Sequence, residues 1–562
     1  MQTNFIKDAT LNDLNNLTSW FIKNKDMKGL IYKLLDNRDL GEAFVYFKDN
    51  FIKNIFKDNL EGYIKAFEPV FDRDFLNLNI LAQKAIIILF FYAYFDENTR
   101  SNKDVLFFEP LYKLFIKAKD KNNLELMAFL YIPLLFSSQD MKAFNKKVNK
   151  TLERLILKNF KSNYTPKPRS DNKTRIGFMI ERAIWHSVNQ INYSFLYNLK
   201  KSLEENKQND TEVIILDLNF FEFTGGMENV KNKFKSIGFE YIDLHDALNI
   251  PKNLLYNILD KSIKVRDYIR NLGLDVLIMS PITHFTHIFL LNSRVAKKQV
   301  YWSHGNCAID VKGIDARISH FEQTCKEFDW KIIHFPIPEE LLLGTEKDKL
   351  EGERIKKELL KKYGENTVIL GTIGRLIKID SDEYLQVIAK IMKDNPNTIY
   401  LACGSGDTKP IKEKLKKYGI NESRFIFTGH INSHVYGWVI DVWINTYPLP
   451  QGQSQQEYYA KKTGIVIESK DLIKTNFKFF KKLITTYIGD KRIEINGRSK
   501  ILKNINFLIC KNDEKQFIKE LITNKVYYNL YKKILALYWD DQQDLKEKQL
   551  NAFFKKLGKI LC

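Results

Sequence analysis

The stretch 367–378, TVILGTIGRLIK, consists of a short apolar run, a turn that contains glycine, and two cations three residues apart. The apolar run predicts a buried strand, and glycine lets the turn that follows approach a ligand closely. From such a turn, Arg375 and Lys378 can neutralise phosphate oxygens. The stretch therefore predicts a diphosphate site at the end of a strand. The alternative is a surface loop with two solvated cations.

Similar apolar runs recur between residues 175 and 467 and alternate with amphipathic segments. Strands separated by helical segments of about 10–20 residues indicate βαβ units and parallel sheets. The runs fall into two sets divided near residues 340–365, so we predict an α/β protein with two doubly wound, Rossmann-like domains. Ligands of such sheets bind at the carboxyl ends of the strands. The predicted strands are 175–180, 212–216, 275–279, 299–302, 367–371, 398–402, 424–427, 439–444 and 464–467.

Both ends of the chain have a helical pattern instead. In the first 160 residues, apolar side chains recur at three- and four-residue spacing, and Gly and Pro are scarce. Two prolines in a polar segment at 161–170 predict a linker. The predicted division is an all-α N-terminal domain at 1–165, a first Rossmann-like domain at 171–350, a second at 351–510, and C-terminal helices at 511–562 that pack back on the Rossmann-like core.

Two more loops follow strands of the second set. The segment 403–407, CGSGD, contains Gly404 in a Gly-x-Gly pattern that is common at strand ends. The segment 427–434, FTGHINSH, contains His430 and His434, whose imidazoles can contact a nucleotide base or a phosphate. For either histidine the alternative is an ordinary surface residue.

A fourth loop, 447–457 with the sequence YPLPQGQSQQE, leads from a strand into a helix that is predicted to start near Ser454. Backbone N–H groups at a helix start, together with the Ser454 hydroxyl, form an anion site. Glu457 lies one turn further on, where a carboxylate can accept hydrogen bonds from the hydroxyl groups of a ribose. A compatible alternative is a capping box between Ser454 and Glu457.

The order of these four loops resembles the donor domain of a GT-B glycosyltransferase. More narrowly, it resembles the inverting family that contains eukaryotic O-GlcNAc transferase and the bacterial N-glucosyltransferases that modify adhesins in the cytoplasm. The resemblance covers about residues 172–470 and implies two Rossmann-like domains that face a cleft, preceded by an all-α N-terminal domain. The predicted donor site consists of Arg375, Lys378, Gly404, His430, His434, Gly452, Gln453, Ser454 and Glu457.

The resemblance also implies roles within this donor site. Lys378 is expected at the diphosphate and His434 beside the uracil ring. Gly452 and the two residues after it are expected to hold the phosphates. Glu457 occupies the ribose position, where the family commonly has Asp.

Two histidines extend the resemblance into the first set of strands. The segment 176–186, IGFMIERAIWH, resembles the opening strand and loop of the family, which end in a histidine that lines the active site; His186 falls on that position. The segment 292–302, NSRVAKKQVYW, is similar to the family's "RLAPIQ" strand, and His304 lies in the turn after it. His186 and His304 are the predicted catalytic residues on the acceptor side, because imidazole exchanges protons near neutral pH.

The function implied by the resemblance is inverting transfer of a hexose, of glucose or GlcNAc type, from a UDP-sugar to an Asn or Ser/Thr side chain of a polypeptide. We find no Asp-x-Asp motif that is placed after a predicted strand to bridge a metal to the diphosphate, which indicates a metal-independent reaction with the UDP-sugar as co-substrate and no cofactor. One alternative is a saccharide or lipid-linked acceptor at the inner membrane face. A second is a non-catalytic scaffold with a degenerate sugar-nucleotide site.

The net charge of +20, from 88 Lys+Arg and 68 Asp+Glu, raises the question of an anionic partner. Most of the basic residues are Lys in a chain also rich in Asn, Ile, Phe and Tyr, a composition that an AT-rich coding sequence explains. They form no recognisable nucleic-acid-binding module, so nucleic acid is not a predicted partner. The segment 461–500 has 11 Lys/Arg and 4 Asp/Glu with Phe477, Phe479 and Phe480 interleaved. This pattern suits an anionic membrane surface, and the alternative is a solvated helix face.

The predicted compartment is the cytoplasm, with peripheral contact at the inner membrane as an alternative. The five cysteines form no CxxC pair, and the first residues lack the basic and apolar regions of a signal peptide. The longest apolar runs, 85–95 and 126–136, are about half the length of a membrane span. They are predicted to be buried core helices.

Overall fold

The computed structural model describes residues 11–37, 39–57, 59–95, 102–160, 164–207, 210–219, 226–253, 255–305, 308–323, 325–470, 472–489 and 514–561. These residues form two compact units. The first unit comprises the described residues up to Phe335 and those from Gln549 onward, and the second comprises those from Pro336 to Lys548. The finer division into four domains stays a prediction.

The first unit begins with a helical leader, defined here as residues 11–160, whose described part contains no strand. Six of its helices begin at an Asn or Asp whose side chain accepts a hydrogen bond from a backbone N–H of the first turn. The helices are Leu11–Asn24, Met27–Asn37, Leu40–Tyr46, Phe47–Phe56, Leu60–Phe67, Glu68–Phe71, Arg73–Asn77, Ile80–Ile87, Ile88–Tyr92, Asn102–Phe107, Phe108–Asp120, Leu124–Ser137, Met141–Phe144, Asn145–Asn149 and Lys150–Phe160.

The first sheet follows the helical leader and has seven parallel strands in the order β3-β2-β1-β4-β5-β6-β7. Its order reverses between β1 and β4, the switch point at which doubly wound sheets bind ligands. The strands are β1 (Thr174–Ile180), β2 (Thr211–Asp217), β3 (Glu240–Asp243), β4 (Val276–Ser280), β5 (Lys298–Ser303), β6 (Ala316–Ser319) and β7 (Trp330–Ile332). The helices among them are Ser187–Glu205, Glu228–Lys235, Leu244–Ala247, Ile258–Leu272 and Phe285–Ser293.

The second sheet has five parallel strands in the order β10-β9-β8-β11-β12, with the switch point between β8 and β11. The strands are β8 (Val368–Ile373), β9 (Thr398–Cys403), β10 (Phe425–Gly429), β11 (Val442–Asn445) and β12 (Ile465–Glu468). The helices are Glu339–Leu343, Glu346–Tyr363, Leu376–Lys378, Asp382–Asp394, Lys409–Lys417, Glu422–Arg424, Ser433–Val439, Gln453–Lys461, Leu472–Ile484, Thr485–Gly489, Glu514–Thr523 and Lys525–Leu561.

The helical leader and the first sheet share one apolar core. Side chains of both belong to a single cluster of buried residues, and Phe160 packs edge-on against Phe289 with ring centroids 5.2 Å apart. The helix Leu124–Ser137 is buried along almost its whole length, as predicted for the run 126–136. Within the described part of the chain, we find no helix with the length and apolarity needed to cross a membrane.

The predicted α/β class, with two parallel sheets after an all-helical N-terminal region, is confirmed. All nine predicted strands overlap observed ones, but the start of 439–444 was wrong, since Val439 ends a helix and β11 begins at Val442. Three strands were not predicted: β3, β6 and β7. They have three or four residues and are only partly buried, so they lack the apolar run that marks a central strand.

Candidate active site

The second unit brings four predicted loops to one edge of its sheet. They follow β8, β9, β10 and β11, and three of these strands are successive neighbours, with β11 on the other side of β8. The loops after β8 and β11 therefore flank the switch point of the sheet. This placement is the one that the order of motifs predicted, and it is where a doubly wound sheet binds its ligand.

Gly374 and Gly404 let the loops after β8 and β9 touch through their backbones. The Gly374 N–H donates to the carbonyl oxygen of Cys403 at 2.8 Å, and the Leu376 N–H donates to that of Ser405 at 2.9 Å. A Cβ atom on Gly404 would lie 1.9 Å from the Gly374 carbonyl oxygen, so no larger residue fits. The packing of the two loops thus explains Gly404, whose predicted contact with a donor stays a prediction.

Lys378 ties the loop after β8 to the loop after β11. Its Nζ donates to the carbonyl oxygen of Pro450 at 2.9 Å and to Oε1 of Gln451 at 3.3 Å. Burial, with a smaller contribution from repulsion by Arg375, lowers the pKa of Lys378 to about 8. The two predicted cations are therefore electrostatically coupled, as a diphosphate clamp requires, and an anion between them would relieve their repulsion.

Gln451 is a buried member of this arrangement that the sequence prediction missed. Its Nε2 donates to Oγ1 of Thr372 at 3.2 Å, and its backbone N–H donates to Oδ1 of Asn445 at 3.1 Å. A Cβ atom on Gly374 would lie 2.4 Å from Oε1 of Gln451, so the glycine makes room for this side chain. Gln451 lies between Pro450 and the glycine at the predicted helix start. That position could have indicated a role in the site, but the prediction included only Gly452 and the residues after it.

The helix after β11 begins at Gln453, and Gly452 is its N-cap residue. The alternative of a capping box between Ser454 and Glu457 is wrong, because Ser454 lies inside the first turn and its hydroxyl donates to the carbonyl oxygen of Ile373 at 2.8 Å. That bond anchors the helix start to the end of β8. A Cβ atom on Gly452 would meet no atom within 4 Å, so space is open beside the first N–H groups of the helix, which lack intrahelical acceptors.

Glu457 points its carboxylate into the interior of the second unit. Its side chain is buried, and burial raises its pKa, against the opposite effects of Ser433, Lys461 and Gln453. Among the described residues, its Oε2 has no hydrogen-bond partner by geometry. A buried carboxylate oxygen without a donor is costly, which makes it a natural acceptor for a ligand hydroxyl.

The two predicted histidines of the loop after β10 lie in different surroundings. His430 is exposed. His434 is the second residue of the helix Ser433–Val439 and packs against Gly344, where a Cβ atom would lie 2.6 Å from that of the histidine. The pKa of Asp348 is lowered mainly by the Thr345 hydroxyl, with a smaller contribution from His434. Their roles toward a nucleotide stay predictions.

The first unit holds His186 after β1 and His304 after β5. Nδ1 of His186 accepts a hydrogen bond from the Asn189 N–H at 3.2 Å and so begins the helix Ser187–Glu205. The ring of His304 stacks on Trp302, with centroids 5.4 Å apart and an angle of 12° between the ring planes, and its Nε2 lies 2.5 Å from Oγ of Ser280.

The pKa of His304 is well below the ordinary value for histidine. Burial is the main cause of this low pKa, and electrostatic repulsion by His320 and His186 lowers it further. His304 is therefore a neutral imidazole at physiological pH, a form that can accept a proton. His186 contributes to this lowering of the His304 pKa, so the two predicted catalytic histidines lie in the same part of the first unit.

Three polar residues next to the two histidines were missed by the sequence prediction: Asn189, Asn192 and Ser280. All three are buried, with at most 2% of each residue exposed. In the sequence, these three residues are polar at positions where a buried helix face or a central strand normally has apolar side chains. That departure could have indicated a functional role. Among the described residues, no group of three or more His, Cys, Asp or Glu side chains is placed to hold a metal ion.

Comparisons with known proteins add structural neighbours. The chain matches no protein-family model and no curated protein. A mutant O-GlcNAc transferase of Thermobaculum terrenum is 13% identical, with 99% of this chain and 98% of that chain covered and a TM-score of 0.48. HepE of Anabaena, in complex with UDP and glucose, is 12% identical, with 69% and 99% covered and a TM-score of 0.38.

A third neighbour is the pneumococcal O-GlcNAc transferase GtfA in complex with UDP and GlcNAc. It is 11% identical, with 69% of this chain and 99% of that chain covered and a TM-score of 0.36. At such identities and TM-scores, the function of this chain has to be argued from its own residues.

Proposed function

We propose that this protein is an inverting, metal-independent glycosyltransferase that moves a hexose, of glucose or GlcNAc type, from a UDP-sugar to a polypeptide side chain, Asn or Ser/Thr. The observation that carries the proposal is the grouping of Lys378, the open helix start at Gly452 and the buried carboxylate of Glu457 around one switch point. Lys378 and the helix start fit the phosphates of a nucleoside diphosphate, and a carboxylate in the first turns of that helix fits the two hydroxyl groups of its ribose.

The second unit then holds the donor. Arg375, Lys378 and the N–H groups at the start of the helix Gln453–Lys461 bind the diphosphate and stabilise the charge that develops on it when the sugar bond breaks. Glu457 accepts hydrogen bonds from the ribose. In this proposal, these groups stabilise the leaving group in place of a metal ion.

The first unit supplies the acceptor side. His186 and His304 each follow a strand of its sheet, and the neutral ring of His304 can take the proton that the acceptor group loses. A positioned imidazole contributes about 10²–10⁴-fold to such a reaction.

Titration calorimetry with UDP, UDP-glucose, UDP-GlcNAc and a GDP-sugar tests the donor half of the proposal. We expect UDP and one of the UDP-sugars to bind with equal affinity in the presence and absence of EDTA. Mass spectrometry of a mixed peptide pool incubated with that sugar nucleotide tests the acceptor half, with a mass gain of one hexose or N-acetylhexosamine as the expected result. Absence of nucleotide binding would overturn the proposal.

The alternative with an acceptor at a membrane receives less support. Its sequence argument relied on aromatic side chains interleaved with lysines in 461–500, of which 471 and 490–500 lie outside the described residues. Phe480 is buried, and Phe479 packs edge-on against Tyr538 with centroids 5.4 Å apart. These rings therefore belong to the core of the second unit, and the side chain of Phe477 lies outside the described part. The cytoplasmic location stays a prediction.

A further inference from the structure

A chain of hydrogen bonds, buried at its centre, joins His186 to His304 in the first unit. Nδ1 of His186 accepts from the backbone N–H of Asn189 at 3.2 Å. Nδ2 of Asn192 donates to Oδ1 of Asn189 at 3.2 Å, and Oγ of Ser280 donates to Oδ1 of Asn192 at 2.6 Å. Oγ of Ser280 also lies 2.5 Å from Nε2 of His304. Asn192 and Ser280 are fully buried, so water does not compete for these bonds.

The direction of each bond is fixed by groups whose roles are unambiguous. Nδ2 of Asn189 donates to the carbonyl oxygens of Arg182 and Ile184, at 2.7 Å and 2.8 Å, and a carbonyl oxygen can only accept. The other amide atom of Asn189, which faces Asn192, is therefore its oxygen. Asn192 must donate to that oxygen with its NH₂ group, so its own Oδ1 faces Ser280 and accepts.

This order determines which nitrogen of His304 carries the proton. The Ser280 hydroxyl has one proton, and the proton points to Oδ1 of Asn192. Toward His304, the same oxygen can only accept, so Nε2 of His304 must be the protonated nitrogen. Nδ1 is then the nitrogen with the lone pair; it is buried and has no hydrogen-bond partner among the described residues.

The same reasoning gives the opposite outcome for His186. Its Nδ1 accepts from a backbone N–H, which can only donate, so the proton of the neutral ring lies on Nε2. One hydrogen-bond chain thus leaves the lone pair of the His304 ring on Nδ1 and places the proton of the neutral His186 ring on Nε2.

We propose that Asn192 and Ser280 are positioning residues that hold the proton of His304 on Nε2, so that Nδ1 is the atom that receives the proton of the acceptor group. This inference rests on the proposed function. In the transfer step, the acceptor oxygen or nitrogen forms a bond to the anomeric carbon, and the bond from that carbon to the β-phosphate oxygen breaks. The electron pair of the broken bond leaves with UDP.

His304 takes up the proton that the acceptor loses in this step. The acceptor's proton moves to Nδ1, and the ring becomes an imidazolium whose Nε2–H still donates to Ser280. That hydrogen bond stabilises the charged ring, and the proton is later released to solvent or to the departing UDP. Without Ser280, either nitrogen can carry the resting proton, and a ring with the proton on Nδ1 cannot accept another there.

Long-range ¹H–¹⁵N NMR of the full chain labelled with [¹⁵N]histidine tests the tautomer directly. His304→Gln identifies the signals of this ring by their loss. We expect Nε2 of His304 to appear as a protonated nitrogen and Nδ1 as an unprotonated one, and the reverse assignment overturns the inference. The tautomer is read from the spectrum of the unmodified protein, so the result stands even where Ser280→Ala fails to fold.

Ser280→Ala and Ser194→Ala form a matched pair for the functional step. Ser194 is also fully buried and lies on the same helix as Asn192, but its hydroxyl donates only to the carbonyl oxygen of Gln190 at 2.7 Å within the described residues. We expect Ser280→Ala to mix the two tautomers of His304. Because the charged ring then also loses its hydrogen bond to Ser280, kcat should fall about 10–10²-fold with little change in UDP affinity. Ser194→Ala should leave both unchanged.

The outcomes separate this inference from the proposed function. Absence of sugar transfer by the unmodified protein overturns the proposed function and the role of Nδ1 with it. Transfer with the proton on Nδ1, or equal kcat in Ser280→Ala and the unmodified protein, overturns the inference alone.

Discussion

Nζ of Lys378 lies 2.9 Å from the carbonyl oxygen of Pro450, and this contact joins the loops on the two sides of the switch point in the second sheet. An ammonium group carries three protons, and the bonds to Pro450 and Gln451 orient it while a third proton remains for a phosphate oxygen. The lysine is thus held in place before a ligand arrives, which lowers the entropy that binding costs.

Replacement of Lys378 by Ala should weaken UDP binding by about 10–100-fold, because a hydrogen bond to a charged group contributes about 1.5–3 kcal/mol. Turnover should fall at least as much, since the same cation stabilises the leaving diphosphate. Titration calorimetry gives the first number and a transfer assay the second. Lys393→Ala, at an exposed position on the helix Asp382–Asp394, is the control and should match the unmodified protein. Unchanged UDP affinity in Lys378→Ala would contradict the diphosphate clamp.

The affinity for UDP should decrease as pH rises through the pKa of Lys378, which is about 8. The anion binds the protonated lysine, so a bound diphosphate raises this pKa and binding takes up protons. Between about pH 7 and pH 9 the protonated fraction of the free protein falls from about nine-tenths to about one-tenth. Calorimetry at several pH values should show a matching fall in affinity. Lys378→Arg keeps its charge throughout this range and should show a flat profile; a parallel fall in this variant would assign the effect to another group.

Glu457 should distinguish a ribose from a 2′-deoxyribose. The unmodified protein is expected to bind UDP about tenfold or more tightly than 2′-deoxy-UDP, because the deoxy sugar leaves a carboxylate oxygen without a donor. In Glu457→Gln this preference should shrink, chiefly through weaker binding of UDP. Glu413→Gln, at an exposed position on the helix Lys409–Lys417, should retain it. Equal preferences in the two variants would exclude Glu457 from the ribose site.

The sequence predicted the parts of this site that depend on local pattern. Each strand that carries a candidate residue has an apolar run, so the loops after β8 to β11 could be placed at one edge. Gln451 and the chain from Asn189 to Ser280 could not be predicted, because their roles come from side-chain contacts between segments distant in sequence. The alternative of a capping box was wrong for a related reason, since the Ser454 hydroxyl donates to the end of β8 and does not accept a backbone N–H of its own helix.

Gly404 should be needed for stability whether or not a ligand contacts it. A Cβ atom there would lie 1.9 Å from the Gly374 carbonyl oxygen, so Gly404→Ala must push apart the loops after β8 and β9. Overpacking of this kind costs about 1–3 kcal/mol. Thermal unfolding followed by circular dichroism should show a lower Tm than in Gly419→Ala, where φ is +68° and no atom lies within 4 Å of the added Cβ, so only backbone strain of about 1–2 kcal/mol arises. A higher Tm in Gly404→Ala than in Gly419→Ala would contradict the contact.

Glu125 connects the helical leader to the helix Ile258–Leu272, which packs on the first sheet. Its carboxylate forms a buried ion pair with Lys84 and accepts the backbone N–H groups of Ile258 and Leu259 at 3.0 Å and 2.8 Å. It therefore satisfies the start of the helix Ile258–Leu272 from outside that helix. Nζ of Lys84 in turn donates to the carbonyl oxygen of Tyr256 at 2.9 Å.

Glu125→Gln should lower the free energy of unfolding by about 3–5 kcal/mol, because it leaves the buried ammonium of Lys84 without its counter-charge. Urea unfolding followed by circular dichroism measures the loss. Asp49→Asn, which breaks the exposed ion pair with Lys53, is the control and should change stability by at most about 0.5 kcal/mol. Lys84→Met combined with Glu125→Gln should recover part of the stability, since no unpaired charge then remains buried. Similar losses in Glu125→Gln and Asp49→Asn would show that the ion pair does not hold the helical leader in place.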